Sequence, residues 1–292
     1  MITPTLDLER GLAAQGYDLI AGFDEVGRGA LAGPVMVGCA AIWARDLEPL
    51  ADGDCEISGE PAAPSAGIIG DEGDENDANS AENPADEPPR HRCLAVPAGV
   101  ADSKLLTEHR REAIFDELCD WCAAYAVGQA SNVEIDDWGI TYALGVAALR
   151  ALNQVERELG VGTAPGSPQK GSCRAAAEGR PSHCRPITVG AILDGPSDYI
   201  TKALNTFDAP DVPIPADVTT KVKGDQHCAT VATAAVIAKV TRDRLMMSIS
   251  QGNPRYAAYE WAHNKGYGSA AHRAAIAEYG PTPLHRVSWH LI

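Results

Sequence analysis

The sequence has no apolar run that approaches the length needed to cross a membrane. Residues 1–10 also lack the basic region and the long apolar region of a secretory signal. We therefore predict a cytoplasmic protein with no membrane partner. The 292 residues suffice for one large domain or two small ones, and a hydrophobic content of 45% is ordinary for a globular core.

Basic residues are absent from one long stretch of the chain. Between Asp46 and Pro89 there are 14 Asp or Glu residues and no Lys, Arg or His. The rest of the chain has 26 acidic and 24 basic residues, which leaves only about two net negative charges. The formal net charge of −16 therefore does not exclude a protein that binds nucleic acid, because most of the excess lies in that stretch.

Two segments have compositions that do not form a packed core. Residues 47–97 are rich in Asp, Glu, Gly, Ala, Pro and Ser, and residues 162–185 are rich in Gly, Ser, Pro and Ala but basic. Such segments cannot bury enough surface to offset chain entropy, so we predict two disordered insertions. They interrupt one domain over residues 1–292, of which residues 251–292 form a helical C-terminal portion. The acidic insertion is either a solvated loop or a mask that folds back over a basic binding face.

The eight cysteines do not indicate a disulfide framework. Cys119 and Cys122 have the spacing of half a zinc site, but no second pair at zinc-finger spacing accompanies them. Both lie in an apolar pattern, in which a reduced cysteine behaves as a small hydrophobe. The same holds for Cys39 and Cys228. Pairing stays open among the four cysteines in or beside the insertions, which are Cys55, Cys93, Cys173 and Cys184.

Apolar periodicity predicts strands that alternate with helices. Strands are predicted at residues 17–23, 35–43, 124–130, 187–193 and 218–222, and the first two form an antiparallel pair around a Gly-rich turn. Helices are predicted at residues 5–15, from Thr107 onward, at 141–159 and at 228–249. This order indicates an α/β layered domain.

Acidic side chains follow three of the predicted strands. Asp24 and Glu25 end the first strand, Asp194 ends another, and Asp225 follows a third. Taken singly, each of these acids is more often a turn or cap residue than a ligand. Together they fit strand ends that converge on one site, where buried carboxylates are costly without a cation. Mg²⁺ and Mn²⁺ take oxygen ligands, and four carboxylates suit two such ions, which together can hydrolyse a phosphodiester.

Five motifs occur in order along the chain. They are Asp24-Glu25-Val26-Gly27-Arg28-Gly29, Asp102-Ser103-Lys104, Leu193-Asp194-Gly195, Lys223-Gly224-Asp225 with residues 234–243 behind it, and His263-Asn264-Lys265-Gly266-Tyr267. With this set, the chain resembles ribonuclease HII, the type 2 ribonuclease H family. The resemblance covers essentially the whole chain outside the two insertions.

The resemblance implies a ribonuclease H-like mixed β-sheet flanked by helices. It also implies an endonuclease that cuts the RNA strand of RNA–DNA hybrids and nicks duplex DNA at a single embedded ribonucleotide. The products would carry 5′-phosphate and 3′-hydroxyl ends. The enzyme would be a monomer that uses two Mg²⁺ or Mn²⁺ ions. By motif, Asp24, Glu25, Asp194 and Asp225 would be the metal-binding catalytic carboxylates.

The same resemblance implies contacts with the substrate. Gly27, Arg28 and Gly29, here called the GRG loop, would contact the ribose 2′-hydroxyl through backbone groups. Arg28 could instead be a structural salt-bridge partner. Tyr267 would pack on the deoxyribose beyond the junction. Phosphate contacts are predicted at Ser103, Lys104, Lys223 and Lys265.

The sequence leaves open the roles of three polar residues near these motifs. Ser103 could cap the helix that begins near Thr107 rather than bind phosphate. Lys239 and Arg242, on the predicted helix after Asp225, could serve either phosphates or the carboxylate cluster. The family commonly has two lysines where this chain has Lys104-Leu105.

Two other hypotheses account for less of the sequence. Another metal-dependent DNA nuclease with the ribonuclease H fold would place carboxylates on a similar sheet, but it would lack the GRG loop paired with Tyr267. A nucleotide-binding module built on residues 27–33 would need Gly-Lys-Ser or Gly-Lys-Thr after its glycines, and neither is present there.

Overall fold

A five-stranded mixed sheet forms the centre of the protein. The computed structural model describes residues 3–47, 93–101, 103, 105–162 and 185–292. The strands are β1 (Leu19–Val26), β2 (Val35–Trp43), β3 (Ala124–Ala130), β4 (Val189–Asp194) and β5 (Asp217–Lys221). They lie in the order β3-β2-β1-β4-β5, with β1–β2 and β2–β3 antiparallel and β1–β4 and β4–β5 parallel. The expected mixed sheet is confirmed.

The helices agree closely with the apolar periodicity of the sequence. The predicted helices 141–159 and 228–249 are present and differ from the observed bounds by at most three residues. In the described part of the chain, no helix is long and apolar enough to cross a membrane. The helices are α1 (Asp7–Ala14), α2 (Glu108–Trp121), α3 (Asn132–Trp138), α4 (Ile140–Leu159), α5 (Ile200–Leu204), α6 (Gly224–His227), α7 (Ala229–Gly252), α8 (Trp261–Asn264) and α9 (Ala270–Tyr279).

The two longest of these helices cover opposite faces of the sheet. Helix α4 packs on β2 and β3, and helix α7 packs on β1 and β2. Along β1, Leu19, Ala21 and Phe23 belong to the core on the α4 side, whereas Ile20 belongs to the core under the start of α7. Side chains of a strand alternate between the faces of its sheet. The next two residues therefore diverge, with Asp24 on the α7 side and Glu25 on the α4 side.

Helix α7 packs against the backbone of β1. A Cβ at Gly22 would lie 2.4 Å from both the carbonyl carbon of Thr230 and the nitrogen of Val231, which are backbone atoms that cannot move aside. The start of α7 is capped by buried Glu9, whose Oε1 accepts hydrogen bonds from the Thr230 N–H (2.9 Å) and hydroxyl (2.8 Å). These contacts bring α6, which immediately precedes α7, close to the sheet.

The predicted boundaries of both insertions are too wide. Leu47 and Leu94 are 4% and 5% exposed and lie in one apolar cluster. The Trp121 indole also donates to the carbonyl of Ala95 (2.8 Å). At the other insertion, Arg185 forms an ion pair with Asp18 (2.6 Å). Residues 48–92 and 163–184, with Cys55, Cys173 and Cys184, lie outside the described residues. The other five cysteines are free, as expected for Cys39, Cys119, Cys122 and Cys228.

The C-terminal portion, predicted as helical over residues 251–292, is only partly so. It contains a 3-10 segment (Pro254–Tyr259), α8 and α9, and no helix follows Tyr279. This portion packs on the connection between β1 and β2, since Leu31 and Trp261 share an apolar cluster. It therefore lies beside the loop that follows Glu25.

Two neutral histidines form the polar centre of the C-terminal portion. The Thr282 N–H donates to His285 Nδ1 (2.8 Å), so His285 carries its proton on Nε2, 3.0 Å from His272 Nε2. The Trp261 indole also donates to His272 Nε2 (3.0 Å), and His272 Nδ1 lies 2.9 Å from the carbonyl of Tyr267. A second proton on either ring would face a donor. Burial, and next the proximity of His272, lower the pKa of His285 to about 4; burial lowers that of His272 as well.

We predict that the contribution of His285 to stability falls as the pH drops from 6.5 to about 4. In this window the unfolded chain binds protons at His285 that the folded protein does not, so acid favours unfolding. The loss should be about 2–3 kcal/mol relative to pH 7. Urea unfolding of the wild type and of His285→Gln at pH 4.5 to 8 measures it. The difference between the two proteins should grow toward neutral pH; parallel stability curves would contradict the assignment.

Candidate active site

Strand β1 delivers two carboxylates to different surroundings. The strand extends to Val26, so Asp24 and Glu25 lie within it, and not after it as predicted. Phe23 is paired with Leu193 of the parallel strand β4, so the next residues of the two strands, Asp24 and Asp194, are neighbours. By strand alternation both point toward α7, because Ile192 of β4 lies in the same core cluster as Ile20.

Asp24, Asp194 and Asp225, here called the aspartate triad, meet at one place. Each offers a carboxylate oxygen, and these oxygens all lie within 4.8 Å of one another. Asp24 and Asp225 are 6% and 3% exposed. Asp225 reaches the site from α6, and the Gly224 N–H donates to Asp194 Oδ1 (2.7 Å). The predicted convergence of three strand ends is therefore present in the structure.

The triad has the character of a site for a hard cation. Three anionic oxygen donors crowd into a largely buried space, where they repel one another without a positive charge between them. Backbone N–H groups donate to two of these carboxylates, from Glu25 to Asp24 Oδ1 (2.8 Å) and from Gly224 to Asp194 Oδ1 (2.7 Å). Mg²⁺ and Mn²⁺ take such oxygen ligands, so the donor set fits the ions that the sequence predicts.

Glu25 lies beside the triad but outside it. Its Oε1 forms an ion pair with Arg28 Nη1 (3.0 Å), and its Oε2 accepts a hydrogen bond from the hydroxyl of Tyr199 (3.1 Å). The salt-bridge alternative for Arg28 is thus the arrangement in this structure. Burial, and next the charges of Glu25 and Asp24, raise the pKa of Tyr199 well above its usual value. Its hydroxyl therefore keeps the proton that it donates to Glu25.

The GRG loop and Tyr267 are in contact. The Gly27 N–H donates to the hydroxyl oxygen of Tyr267 (3.1 Å), and Ala30 forms a β-bridge with Tyr267. Arg28 and Gly29 are exposed, whereas Gly27 is buried. The loop therefore presents two exposed residues next to an aromatic ring and the carboxylates of β1.

Contrary to the prediction, Arg242 does not serve phosphates or the carboxylate cluster. It is fully buried, and its guanidinium donates to the carbonyls of Pro34 (3.0 Å), Lys265 (2.9 Å) and Ala32 (3.2 Å). A second fully buried arginine, Arg286, donates in the same way to the loop itself. Neither Arg286 nor Tyr199 was predicted as a functional residue, because neither lies in one of the five motifs.

The predicted phosphate contacts differ in their surroundings. Lys223 is exposed, next to the residues that lead to Asp225. Lys265 is 7% exposed, and its ammonium bonds to the carbonyl of Ala262 (2.5 Å), so it does not present a free cation to phosphate. Lys239 forms an ion pair with Asp243 (2.7 Å). Lys104 and Asp102 lie outside the described residues.

Ser103 is buried and does not cap the helix after it. Its carbonyl accepts a hydrogen bond from Arg111 (2.9 Å). The cap of α2 is Thr107, whose hydroxyl accepts from the Arg110 N–H (3.3 Å). The capping alternative for Ser103 is therefore wrong, and phosphate binding stays a prediction.

Comparison with known proteins agrees with this fold. A family model described as Ribonuclease HII matches residues 196–292. The ribonuclease HII of Streptomyces griseus is 37% identical over 287 residues, which cover 98% of this chain and 84% of that protein. The ribonuclease HII of Synechococcus elongatus is 28% identical over 271 residues, covering 93% and 85%.

Solved structures share the fold. The crystal structure of the ribonuclease H2 from Pyrococcus horikoshii OT3 superposes with a TM-score of 0.51 at 20% identity, covering 94% of both chains. The ribonuclease HII of Archaeoglobus fulgidus, solved in complex with PCNA, gives a TM-score of 0.51 at 19% identity, covering 92% of this chain and 93% of that one. The mixed sheet and its aspartate triad thus define an enzyme of the ribonuclease H class. Within that class, the chain belongs to the ribonuclease HII family.

We predict that Gly27→Ala destabilises the protein by about 2–4 kcal/mol. The backbone of Gly27 has φ of 80°, and a Cβ there would lie 2.1 Å from Arg242 Nε. Gly29→Ala is the matched control, because no atom lies within 4 Å of its added Cβ. Its stability should change by less than about 1 kcal/mol. Urea unfolding compares the two; equal effects would show that Arg242 does not pack beneath Gly27.

Proposed function

We propose that the protein hydrolyses the RNA strand of RNA–DNA hybrids and nicks duplex DNA at single embedded ribonucleotides. The observation that carries the proposal is the aspartate triad, with its oxygens within 4.8 Å, in the same structure as a GRG loop held against Tyr267. The first feature suits phosphodiester hydrolysis, and the second suits a test for ribose.

The aspartate triad would hold divalent ions, with Glu25 as the fourth ligand. Two Mg²⁺ or Mn²⁺ ions would supply activation of water and stabilisation of the departing oxygen, giving 5′-phosphate and 3′-hydroxyl ends. In this structure Glu25 is bonded to Arg28 and Tyr199. These two side chains therefore orient the Glu25 carboxylate at the edge of the triad.

The substrate would lie across the GRG loop. The exposed backbone groups of Arg28 and Gly29 suit hydrogen bonds with a 2′-hydroxyl, which is the group that distinguishes ribose from deoxyribose. The Tyr267 ring, fixed by its hydroxyl contact with Gly27, offers a rigid face to the next sugar. Exposed Lys223 and buried Ser103 remain the proposed phosphate contacts among the described residues.

The substitution Asp24→Asn should lower kcat by at least roughly a thousandfold, because the triad loses an anionic ligand. The free energy of unfolding should not fall, since the change removes like-charge repulsion between buried carboxylates. Asp217→Asn is the control: this exposed carboxylate accepts a hydrogen bond from Tyr17 (3.1 Å) and should leave kcat unchanged. Cleavage assays in Mg²⁺ and Mn²⁺, with urea unfolding, measure both effects. Substantial turnover by Asp24→Asn would refute the assignment.

The substrate itself separates the proposal from its rival. A DNA duplex with one ribonucleotide should be nicked only with a divalent ion, and the matched all-DNA duplex should be cut far more slowly. Mapping the nick and its end groups tests the expected products. If the two duplexes were cut equally fast, the protein would instead be a metal-dependent DNA nuclease of the same fold.

A further inference from the structure

Arg286 is a fully buried residue that binds the GRG loop from the interior of the protein. Its Nη1 donates to the carbonyl of Arg28 (2.8 Å), and its Nη2 donates to the carbonyls of Gly27 (2.7 Å) and Gly33 (3.1 Å). Its Nε also donates to Gly33 (3.2 Å). One side chain therefore fixes carbonyls at both ends of the turn between β1 and β2.

These bonds determine where the loop N–H groups point. The peptide bonds of the described residues are all trans, and in a trans peptide the C=O and N–H point in opposite directions. Because the carbonyls of Gly27 and Arg28 point toward Arg286, the N–H groups of Arg28 and Gly29 point away from it. Both residues are exposed, and the hydrogen bonds given by the described residues use neither N–H.

The charge of Arg286 is met by carbonyl oxygens. Among the ion pairs of the described residues, none includes Arg286 or the nearby Arg242. Burial, and next the charge of Arg242, lower the pKa of Arg286 to about 9, so the guanidinium is still charged at neutral pH. Hydrogen bonds from a charged donor are stronger than neutral ones, which favours a single loop conformation.

We propose that Arg286 is a positioning residue for the selection of ribonucleotides, acting by turning the N–H groups of Arg28 and Gly29 toward the substrate. This inference rests on the proposed recognition of the 2′-hydroxyl by the GRG loop. With both N–H groups oriented before binding, the 2′-hydroxyl oxygen finds its donors without rearrangement of the loop. A deoxyribose at the same place leaves these donors without a partner.

Lysine cannot replace Arg286 in this role. The guanidinium presents several N–H donors in one rigid plane, whereas an ammonium is a compact charge on a flexible stem. The three carbonyls bound by Arg286 belong to Gly27, Arg28 and Gly33, which span six positions in sequence. Arg286→Lys therefore keeps the charge but loosens the loop.

The test is a competition assay in Mg²⁺. The substrate is a DNA duplex with one ribonucleotide, and the competitor is the all-DNA duplex of the same sequence. The selectivity is the ratio of the Ki of the competitor to the KM of the substrate. Neither constant depends on the fraction of molecules that is folded, so a merely structural defect does not change the ratio. We expect Arg286→Lys to lower the ratio by about fivefold or more, which corresponds to the free energy of one hydrogen bond.

Two further variants make the result specific. Tyr259→Phe removes a hydrogen bond to the carbonyl of Gly280 (2.7 Å) in the same C-terminal portion and no donor to the GRG loop, so it should lower stability and leave the ratio unchanged. Trp289→Ala removes the ring that stacks on the Arg286 guanidinium (4.9 Å) and should lower the ratio by a smaller factor. This variant tests the proposal if Arg286→Lys does not fold.

The outcomes separate this inference from the proposed function. A wild-type ratio near one refutes recognition of the 2′-hydroxyl, and the role of Arg286 with it. If the wild-type ratio is well above one and the ratio of Arg286→Lys equals it within measurement error, only the positioning role is overturned. If Arg286→Lys is unfolded, the ratio of Trp289→Ala decides in the same way. An equal loss of selectivity in Tyr259→Phe also overturns the positioning role, because the effect would then come from the C-terminal portion as a whole.

Discussion

Repulsion among three crowded carboxylates, two of them buried, is the constraint on which the rest of the structure depends. The sheet and helix α6 hold oxygens of the aspartate triad within 4.8 Å of one another, although like charges at this spacing repel. Packing of α7 on Gly22 and the cap that Glu9 provides supply the rigidity that keeps α6 in place. The crowded carboxylates thus lower the stability of the fold, and they provide a donor set that suits divalent cations.

A second set of contacts joins the C-terminal portion to the substrate side of the site. Arg286 holds the carbonyls of the GRG loop, and the adjacent His285 belongs to a chain of hydrogen bonds that ends at the carbonyl of Tyr267. The two groups proposed to test the sugar therefore depend on the same short segment. A segment far in sequence from the carboxylates is thereby connected to both of these groups.

Local patterns predicted most of the fold and the triad. Strands and helices followed from apolar periodicity, which is a local property. Asp24 and Asp194 lie near the same ends of two parallel strands, so their meeting was predictable. The divergence of Glu25 also follows from strand alternation, but it was missed because the strand was predicted to end at Phe23.

The errors concern residues whose partners are remote in sequence. On a helix, Arg242 resembles a surface cation, and it is buried only because residues 32–34 and 265 close over it. Leu47 and Leu94 are isolated apolar residues beside acidic sequence, and they pack in one cluster with the remote Leu6.

The most direct test of the central claim is diffraction from crystals soaked in Mn²⁺, with the ions located by anomalous scattering. We expect density for Mn²⁺ between Asp24, Asp194 and Asp225. Saturating Mn²⁺ that binds elsewhere, with none at these carboxylates, would contradict the account.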